Sequence, residues 1–256
     1  MKKIFLYILA GSLCFTACKK DGDDVATFTE PEDIATRNSY DEQAIQKFMD
    51  ENYLDVQGNI KAFSSTDTAD DNYKKLSQMV PAPVKLPSGV IYIVRDGAQP
   101  DPGKPITNDG TTQIRTMIRA NYYLATDTDG NVAFSPAYSG TLLNTINGSA
   151  SPITDPLFYY VRKSVVEHPN NSEAAKQRSY YEIEGLQEGL KYFKAHDNKP
   201  DGDPYNLQGV IIVPSKAAFA RDLHYNYNGT SLQNRCFVFN FEIYNAKTRP
   251  TLEEKN

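Results

Sequence analysis

Large apolar side chains occupy every second position from Phe237 to Ile243, with Phe239 and Phe241 between them. Successive side chains of a β-strand point to opposite faces of a sheet, so a period of two puts these four side chains on one face. Burial of three phenylalanines on one face requires a sheet with an aromatic core on that side. We therefore predict a final strand that faces the interior of a β-containing fold.

Three other segments also predict strands. The runs 89–95 and 210–213 are short, apolar and rich in β-branched residues. From Thr112, apolar residues alternate with polar ones, and one face of this strand would carry Ile114, Ile118, Ala120, Tyr122 and Leu124. Strands outnumber helices, and most connections are too irregular for parallel β-α-β units. The pattern therefore favours an α+β protein with an antiparallel sheet.

The first helix is predicted from a capping-box pattern. Ser39 is followed three residues later by Glu42, and apolar residues then recur at helical spacing, which predicts a helix over 41–53. A second, weaker helical pattern covers 73–80. Three prolines between residues 81 and 87 end it and place a boundary near residue 85. Residues 39–84 therefore form a predicted helical extension before a domain at 85–250.

A short helix is predicted inside this domain. Its apolar face is formed by Leu186, Gly189, Leu190 and Phe193, which follow the spacing i, i+3, i+4, i+7. The polar segments near 135–180 and 195–208 are long for connections in a compact domain. Such segments are insertions or functional loops.

The N-terminus predicts export. Residues 1–17 have a basic start, an apolar run too short to span a bilayer, and small residues before Cys18, as in a secretory signal peptide. The residues Phe15 to Cys18 resemble a bacterial lipobox, in which the cysteine is lipidated after cleavage. The alternative is a plain signal peptide with an incidental cysteine.

The predicted mature chain begins with a polar tether. Residues 18–38 have tether composition, and 19–24 resemble the acidic export signals of surface lipoproteins in Bacteroidetes-like bacteria. A solvated linker without a signal is the simpler interpretation. We expect an exported protein, anchored through lipid on Cys18 to the bacterial outer membrane, on its periplasmic or its surface face.

Composition excludes several kinds of chemistry. The net charge is −5, without the clustered Lys and Arg that a nucleic-acid partner requires. His168, His196 and His224 have no metal-ligand spacing, and neither Asp-Gly-rich loop fits an EF-hand, so no metal or cofactor is expected. No phosphate-binding glycine loop or serine nucleophile elbow occurs. Cys236 is predicted to be a buried packing residue, because it stands beside the phenylalanine strand.

Three segments in the C-terminal half resemble one known family. Glu184–Leu190 (EGLQEGL) looks like the start of the central helix of FKBP-type peptidyl-prolyl cis-trans isomerases. The segment 210–219 (VIIVPSKAAF) resembles the strand and turn that follow it, and 237–243 (FVFNFEI) resembles the closing strand. Upstream, Asn121-Tyr122 and the later Phe134 are similar to another family segment. The resemblance covers about 89–246.

The resemblance implies a fold and a site. The family fold is a curved antiparallel sheet wrapped over one short central helix, and lipoprotein members carry an N-terminal helical extension. The implied proline pocket is lined by Tyr122, Phe134, Ile183, Leu186, Phe219 and Phe239. In the family, a backbone N–H at the position of Ile183 orients the substrate carbonyl. Ser135 and Phe158 are further candidates for substrate contact.

The implied chemistry needs no ionised group and no cofactor. Rotation about an X-Pro bond destroys amide resonance and has a barrier of about 18–20 kcal/mol. An apolar cleft that binds the twisted amide selectively lowers this barrier. The expected partners are proline-containing polypeptides of the cell envelope.

This sequence departs from the family at three positions. Ser135 replaces an Asp, Leu186 replaces a Trp, and Phe219 replaces a Tyr whose hydroxyl binds substrate. A neutral hydrogen bond contributes about 0.5–1.5 kcal/mol, so these losses lower activity without abolishing it. Three hypotheses follow: an envelope prolyl isomerase or folding helper, a weak or inactive FKBP-like peptide-binding lipoprotein, or a structural lipoprotein of unrelated fold.

Overall fold

The computed structural model describes residues 28–107, 110–146 and 151–250. The described residues from Pro31 onward belong to one compact unit. The helices are α1 (Ile34–Glu51), α2 (Lys163–Val166) and α3 (Glu184–Leu190). Short 3-10 turns lie at Leu76–Gln78, Pro136–Tyr138, Ala174–Lys176, Arg178–Tyr180 and Ser215–Ala217. The strands are β1 (Asn52–Leu54), β2 (Ile60–Ala62), β3 (Val84–Lys85), β4 (Ile91–Val94), β5 (Lys104–Pro105), β6 (Thr112–Tyr123), β7 (Ala125–Thr128), β8 (Asn131–Phe134), β9 (Gly140–Asn144), β10 (Ile153–Thr154), β11 (Lys194–Ala195), β12 (Gly209–Val213) and β13 (Cys236–Thr248).

The main sheet has seven strands within the described ranges. Its order is β10-β6-β13-β12-β4-β3, and β9 also pairs with β6. All of these pairs are antiparallel. The long strands β6 and β13 lie side by side from Cys236↔Tyr123 to Thr248↔Thr112, with one irregularity between Ile243 and Asn245. The protein is thus a mixed α and β structure with antiparallel sheets and few helices, as the sequence predicts.

Alternation along β6 and β13 agrees with the predicted inward faces. Ile114, Ile118 and Ala120 of β6 lie in one core cluster with the phenylalanines of β13. Cys236 and Val238 point to the opposite face and belong to a second cluster. The period of two therefore determined both the strands and the side chains that each face buries.

Helix α1 starts earlier than the sequence predicts. Its N-cap is Asp33, whose carboxylate accepts hydrogen bonds from the backbone N–H of Thr36 at 2.7 Å and from its hydroxyl at 2.8 Å. Ser39, the predicted cap, lies inside the helix and interacts there with the Gln43 amide. The capping-box prediction was wrong because Asp33 and Thr36 form an equivalent start six residues upstream. The first turns of α1 also overlap the predicted tether.

The weaker helical pattern over 73–80 forms only the 3-10 turn Leu76–Gln78. Lys75, just before this turn, makes a β-bridge with Tyr53 instead of entering a helix. Leu76 itself is buried in the cluster beneath α1. Tertiary pairing therefore overrides the local pattern.

Along the described chain, no helix has the length and apolar character needed to cross a membrane.

Helix α3 packs closely on β12. An added Cβ on Gly185 would lie 2.5 Å from Val213 Cγ1 and 2.8 Å from the Ala217 carbonyl oxygen. An added Cβ on Gly189 would lie 2.7 Å from Ile211 Cγ2. The two glycines therefore allow the helix backbone to approach the strand, and the predicted short helix is confirmed at Glu184–Leu190.

Candidate functional site

Most of the predicted pocket residues lie together on the α3 side of the main sheet. Phe158, Ile183, Leu186, Phe219 and Phe239 belong to one hydrophobic cluster and are 0–2% exposed. Tyr122 packs against the edge of this cluster and is partly buried, with its ring against Gly140 of the neighbouring strand. The structure thus brings six predicted residues together in a core.

Three chain segments position four of these side chains. Leu186 lies in α3, and Ile183 is the N-cap residue of that helix. Phe239 projects from β13 on the face defined by the alternating phenylalanines. Phe219 follows the 3-10 turn Ser215–Ala217, which begins where Pro214 ends β12. Proline cannot donate a ladder hydrogen bond, so the chain leaves the sheet at this point and places Phe219 over its face.

The ring of Phe158 occupies the centre of this cluster. Its centroid lies 4.8 Å from Tyr227, 5.4 Å from Phe237, 6.0 Å from Phe219 and 6.3 Å from Phe239, all in edge-to-face geometry. Aromatic rings favour such contacts, and each is worth about 0.5–1.5 kcal/mol beyond burial. We call the four surrounding rings the aromatic box. The box is filled by a side chain of the same protein.

The backbone of Phe158 also pairs with the hydrogen-bond donor of the predicted pocket, the Ile183 N–H. Its carbonyl oxygen accepts the Ile183 N–H at 2.8 Å. This is the N–H that the family resemblance assigns to the substrate carbonyl. Phe158 therefore occupies both the apolar and the hydrogen-bonding part of the predicted pocket, and its φ of 73° lies in the left-handed region. Bulky residues rarely adopt this conformation.

The structure does not bring Phe134 into this cluster. Phe134 stacks on Tyr123 at 4.7 Å between centroids and contacts Phe48 of α1 at 5.8 Å, on the opposite face of the sheet. Tyr122 and Tyr123 are neighbours on one strand and point to opposite faces, and the β7–β8 hairpin carries Phe134 to the Tyr123 side. The predicted pairing of Tyr122 with Phe134 in one pocket is corrected accordingly.

Ser135 directly follows Phe134, and its hydrogen bonds lie next to the β7–β8 hairpin and not at the aromatic box. Its N–H donates to the Leu124 carbonyl at 2.9 Å, which extends the β7–β8 hairpin by one hydrogen bond. Its carbonyl accepts the Ser139 hydroxyl at 2.5 Å. The described contacts of Ser135 are thus local backbone contacts.

Cys18, the predicted lipidation site, lies outside the described residues.

Phe134 instead lines a groove between α1 and the hairpin. The groove has a volume of about 300 Å³, and its aromatic wall is formed by Phe48, Tyr123 and Phe134. Burial raises the pKa of Tyr123. The Tyr123 hydroxyl, which accepts a hydrogen bond from the Asn121 amide at 3.2 Å, therefore stays neutral at physiological pH.

Tyr227 completes the aromatic box and is a residue that sequence reasoning missed. Its hydroxyl donates to the Tyr181 carbonyl at 2.9 Å. Burial raises its pKa above the ordinary tyrosine value, so it is a neutral donor at physiological pH. A loop rich in tyrosine was visible in the sequence. No local pattern indicated that one of these rings folds back onto Phe158.

The structure shows no metal site in the ranges that it describes. No group of three or more His, Cys, Asp or Glu side chains there is arranged to hold a metal ion. Cys236 is fully buried, and burial, with Asp41 beside it, raises the pKa of its thiol well above the ordinary value. A protonated, buried thiol is not a nucleophile, so Cys236 is a packing residue, as the sequence predicts.

No family model and no curated protein matches this chain. Among solved structures, the chain is similar to the crystal structure of FkpA from Escherichia coli, at 17% sequence identity and a TM-score of 0.34. The match covers 69% of this chain and 56% of that chain. A likeness at this score assigns neither fold nor function, so the functional argument rests on the residues of this chain.

Proposed function

We propose that this chain is an exported, lipid-anchored FKBP-like protein that binds polypeptides of the cell envelope without appreciable prolyl isomerase turnover. The sequence resemblance supports the family, and its three segments form helix α3, strand β12 with the turn after it, and strand β13. The proposed fold is the curved sheet of that family wrapped over α3. The proposed domain spans 85–250, with 39–84 as its helical extension.

The observation that carries this proposal is the position of Phe158. An isomerase pocket must admit a proline ring and release it, whereas here a phenylalanine ring of the same chain is 2% exposed inside the aromatic box. The Ile183 N–H is already bonded to the Phe158 carbonyl. An X-Pro substrate would therefore have to displace both contacts before it could enter.

The expected cost of this displacement is large. Burial of a phenylalanine side chain is worth about 1.5–3 kcal/mol, and one neutral hydrogen bond contributes about 0.5–1.5 kcal/mol. Together they weaken the apparent affinity for a competing substrate by about 30-fold to 2,000-fold. Loss of the family Trp and Tyr at Leu186 and Phe219 reduces activity further.

A second candidate is the prolyl isomerase itself. It is favoured by the composition of the site, because Ile183, Leu186, Phe219 and Phe239 belong to one buried cluster and Tyr122 packs against it. If Phe158 leaves, this cluster is apolar and offers one backbone donor, which is what preferential binding of a twisted amide requires. Catalysis would then depend on the fraction of molecules with an empty box.

An isomerisation assay separates the two candidates. We expect the purified protein, at high concentration, to leave the cis–trans exchange rate of a short X-Pro peptide at its uncatalysed value. A rate that rises in proportion to protein concentration would overturn the proposal and establish the isomerase. An FKBP-type isomerase assayed on the same peptide shows that the assay detects turnover.

The proposed anchor is tested separately. We expect the wild-type protein expressed in a Bacteroidetes host to partition with the membrane fraction and to incorporate a labelled fatty acid. The variant Cys18→Ala is expected to lose both properties. A wild-type chain that is exported, unlabelled and recovered in the soluble fraction would contradict the lipoprotein assignment and leave the pocket argument unchanged.

A further inference from the structure

Phe158 belongs to a segment that crosses the aromatic box without joining the main sheet. Residues 155–161, here called the strap, follow the two-residue strand β10 and contain no strand of their own. Two strap residues have left-handed backbone conformations, Asp155 at φ 47° and Phe158 at φ 73°. Aspartate adopts this conformation readily, whereas a bulky residue such as Phe158 holds it only where surrounding contacts impose it.

The N-terminal end of the strap is held by an ion pair whose guanidinium is buried and whose carboxylate is partly exposed. Arg249 Nη2 lies 3.1 Å from Asp155 Oδ1, and Arg249 Nη1 contacts Asp155 Oδ2. The Arg249 side chain is 1% exposed, and Asp155 is 14% exposed. The Asp155 N–H also donates to the Ile114 carbonyl at 2.9 Å. This end is therefore fastened by charge and by one backbone hydrogen bond to β6.

The C-terminal end is held by a second charged group. The Val161 N–H donates to Glu182 Oε1 at 2.7 Å, and the same oxygen accepts a hydrogen bond from Arg178 at 2.7 Å. The Tyr160 ring lies between two guanidinium groups, with Arg249 at 3.3 Å and Arg178 at 5.0 Å from its centroid. Both ends are thus fastened by polar contacts, in contrast to the apolar centre.

The centre of the strap is bound as a peptide ligand is bound. One ring enters an apolar box, one main-chain carbonyl accepts an N–H from the Ile183 backbone, and the next carbonyl, of Tyr159, accepts the Gln187 amide at 2.7 Å. These groups contact a bulky apolar side chain and the backbone on its C-terminal side. None of the three contacts depends on the strap's covalent connection to the domain.

We propose that the strap is an internal ligand that competes with extended peptides carrying a large aromatic side chain. This inference rests on the proposed function, since it names the substrate class and the regulation of the same site. The external peptide places its ring in the aromatic box and its carbonyl on the Ile183 N–H. The strap must leave for this to occur, and its left-handed Phe158 relaxes when it does.

The test uses the strap's own sequence as the probe. A blocked, fluorescently labelled peptide of residues 156–160, Pro-Leu-Phe-Tyr-Tyr, is titrated into the full chain and followed by anisotropy. The variant Phe158→Gly empties the box and suits the left-handed backbone, so we expect it to bind this peptide at least tenfold more tightly than wild type. A peptide with Ala in place of Phe is expected to lose that gain.

Leu157→Gly is the matched control variant, because Leu157 is the neighbouring strap residue and is 40% exposed. It is expected to bind no better than wild type. Equal binding by the Phe158→Gly and Leu157→Gly variants, or folded Phe158→Gly protein that binds no better than wild type, would overturn the inference. Isomerase turnover by the wild type would instead overturn the proposed function, so the two failures are distinguishable.

Hydrogen exchange on the wild type decides the matter if Phe158→Gly does not fold. Saturating peptide is expected to accelerate exchange of the Val161 N–H, which loses Glu182, while the Ile183 N–H remains protected by the new carbonyl. Unchanged exchange at Val161 with bound peptide would show that the peptide binds elsewhere and would overturn the inference. No detectable binding of the peptide at millimolar concentration would overturn it as well.

Discussion

The two faces of the main sheet are covered by different kinds of structure. One face carries α3, the strap and the aromatic box, and it is filled by rings that meet edge to face. The other face carries α1, whose Ile45 and Met49 pack on aliphatic residues of β4 and β12. Apolar contacts are present on both faces, so they do not by themselves explain how each cover is oriented.

On the α1 face, the helix is joined to the rest of the protein by a wholly buried network of an ion pair and hydrogen bonds. Arg37 of α1 donates to Asp41 at 2.8 Å, and both side chains are at most 2% exposed. The other carboxylate oxygen accepts the Ser215 N–H at 2.9 Å and the Ser215 hydroxyl at 2.5 Å. The turn after β12 is thereby tied to α1. The strap is tied instead at its rim, where Asp155 is 14% exposed.

The difference suggests different consequences of breaking each cover. A carboxylate inside a packed interface has no water to replace a lost partner, so its removal penalises the whole fold. At the two ends of the strap, Asp155 is 14% exposed and Arg178 is 45% exposed, so water replaces part of a broken contact there, although the Arg249 guanidinium is buried. We therefore expect the α1 face to behave as part of the global fold and the strap to open locally.

The largest expected effect comes from Asp41→Ala. The substitution removes the carboxylate from the buried guanidinium of Arg37 and from both donors of Ser215, so we expect a loss of about 3–5 kcal/mol in the free energy of unfolding. Urea denaturation measures it. Glu42→Ala is the matched control, because Glu42 and its partner Lys85 are both about half exposed. Such a surface pair contributes about 0.2–1 kcal/mol.

If Asp41→Ala and Glu42→Ala lower the free energy of unfolding by the same amount, the buried hydrogen bonds of Asp41 are not what holds α1 to the turn after β12. The comparison between the two faces would then reduce to apolar area alone.

An intermediate effect is expected on the α3 face from Gly185→Ala. The new methyl group would meet Val213 Cγ1 at 2.5 Å and the Ala217 carbonyl at 2.8 Å, and the backbone atom has little freedom to move. Overpacking of this kind typically costs about 1–3 kcal/mol, read from the same urea midpoints. At Gly202 an added Cβ meets nothing within 4 Å, so Gly202→Ala should stay within about 0.5 kcal/mol of wild type.

A gain of stability in Gly185→Ala would mean that helix propensity outweighs close packing. Helix α3 would then have to lie farther from β12 than the Cβ distances indicate.

The smallest effect concerns the exposed N-cap of α1. Hydrogen bonds from the Thr36 N–H and hydroxyl lower the pKa of Asp33 below its ordinary value of 3.8. A depressed pKa in the folded state means that the ionised group stabilises the fold above pH 3.8 and that this contribution disappears as pH falls through the lower value. Relative to Asp33→Asn, the wild type should therefore lose stability between pH 6 and pH 3.

Urea unfolding of both proteins at the two pH values measures the difference. A wild type whose stability relative to Asp33→Asn is unchanged or rises on acidification would show that the Asp33 carboxylate is not the effective cap of α1.

Prediction from sequence succeeded where the pattern is local and periodic. The inward faces of β6 and β13, the short helix α3 and the buried Cys236 all follow from spacing, because strand and helix geometry fix which side chains share a face. The start of α1 was wrong by several residues, since Asp33 with Thr36 and Ser39 with Glu42 are both acceptable caps. The choice between them depends on Arg37, which must lie inside the helix to meet Asp41.

The sequence indicated several residues that surround the candidate site, but not that Phe158 of the same chain fills it. Leu186, Phe219 and Phe239 come from segments whose pattern was visible, and the structure places them in one hydrophobic cluster. Phe134 went to the other face because the hairpin after Tyr123 turns toward α1. The aromatic box required Tyr227, and its occupant is Phe158; both come from irregular loops without periodicity.

The sequence by itself determined that this chain has a sheet with an aromatic face and a short helix with one apolar face, because these follow from the periodicity of the apolar residues. Only the tertiary structure decided what fills the aromatic face. Asp155 and Arg249 are 94 residues apart, and their pairing sets Phe158 between Tyr227, Phe237 and the Ile183 N–H. Contacts at such separation leave no local pattern, since they depend on how the sheet brings distant segments together.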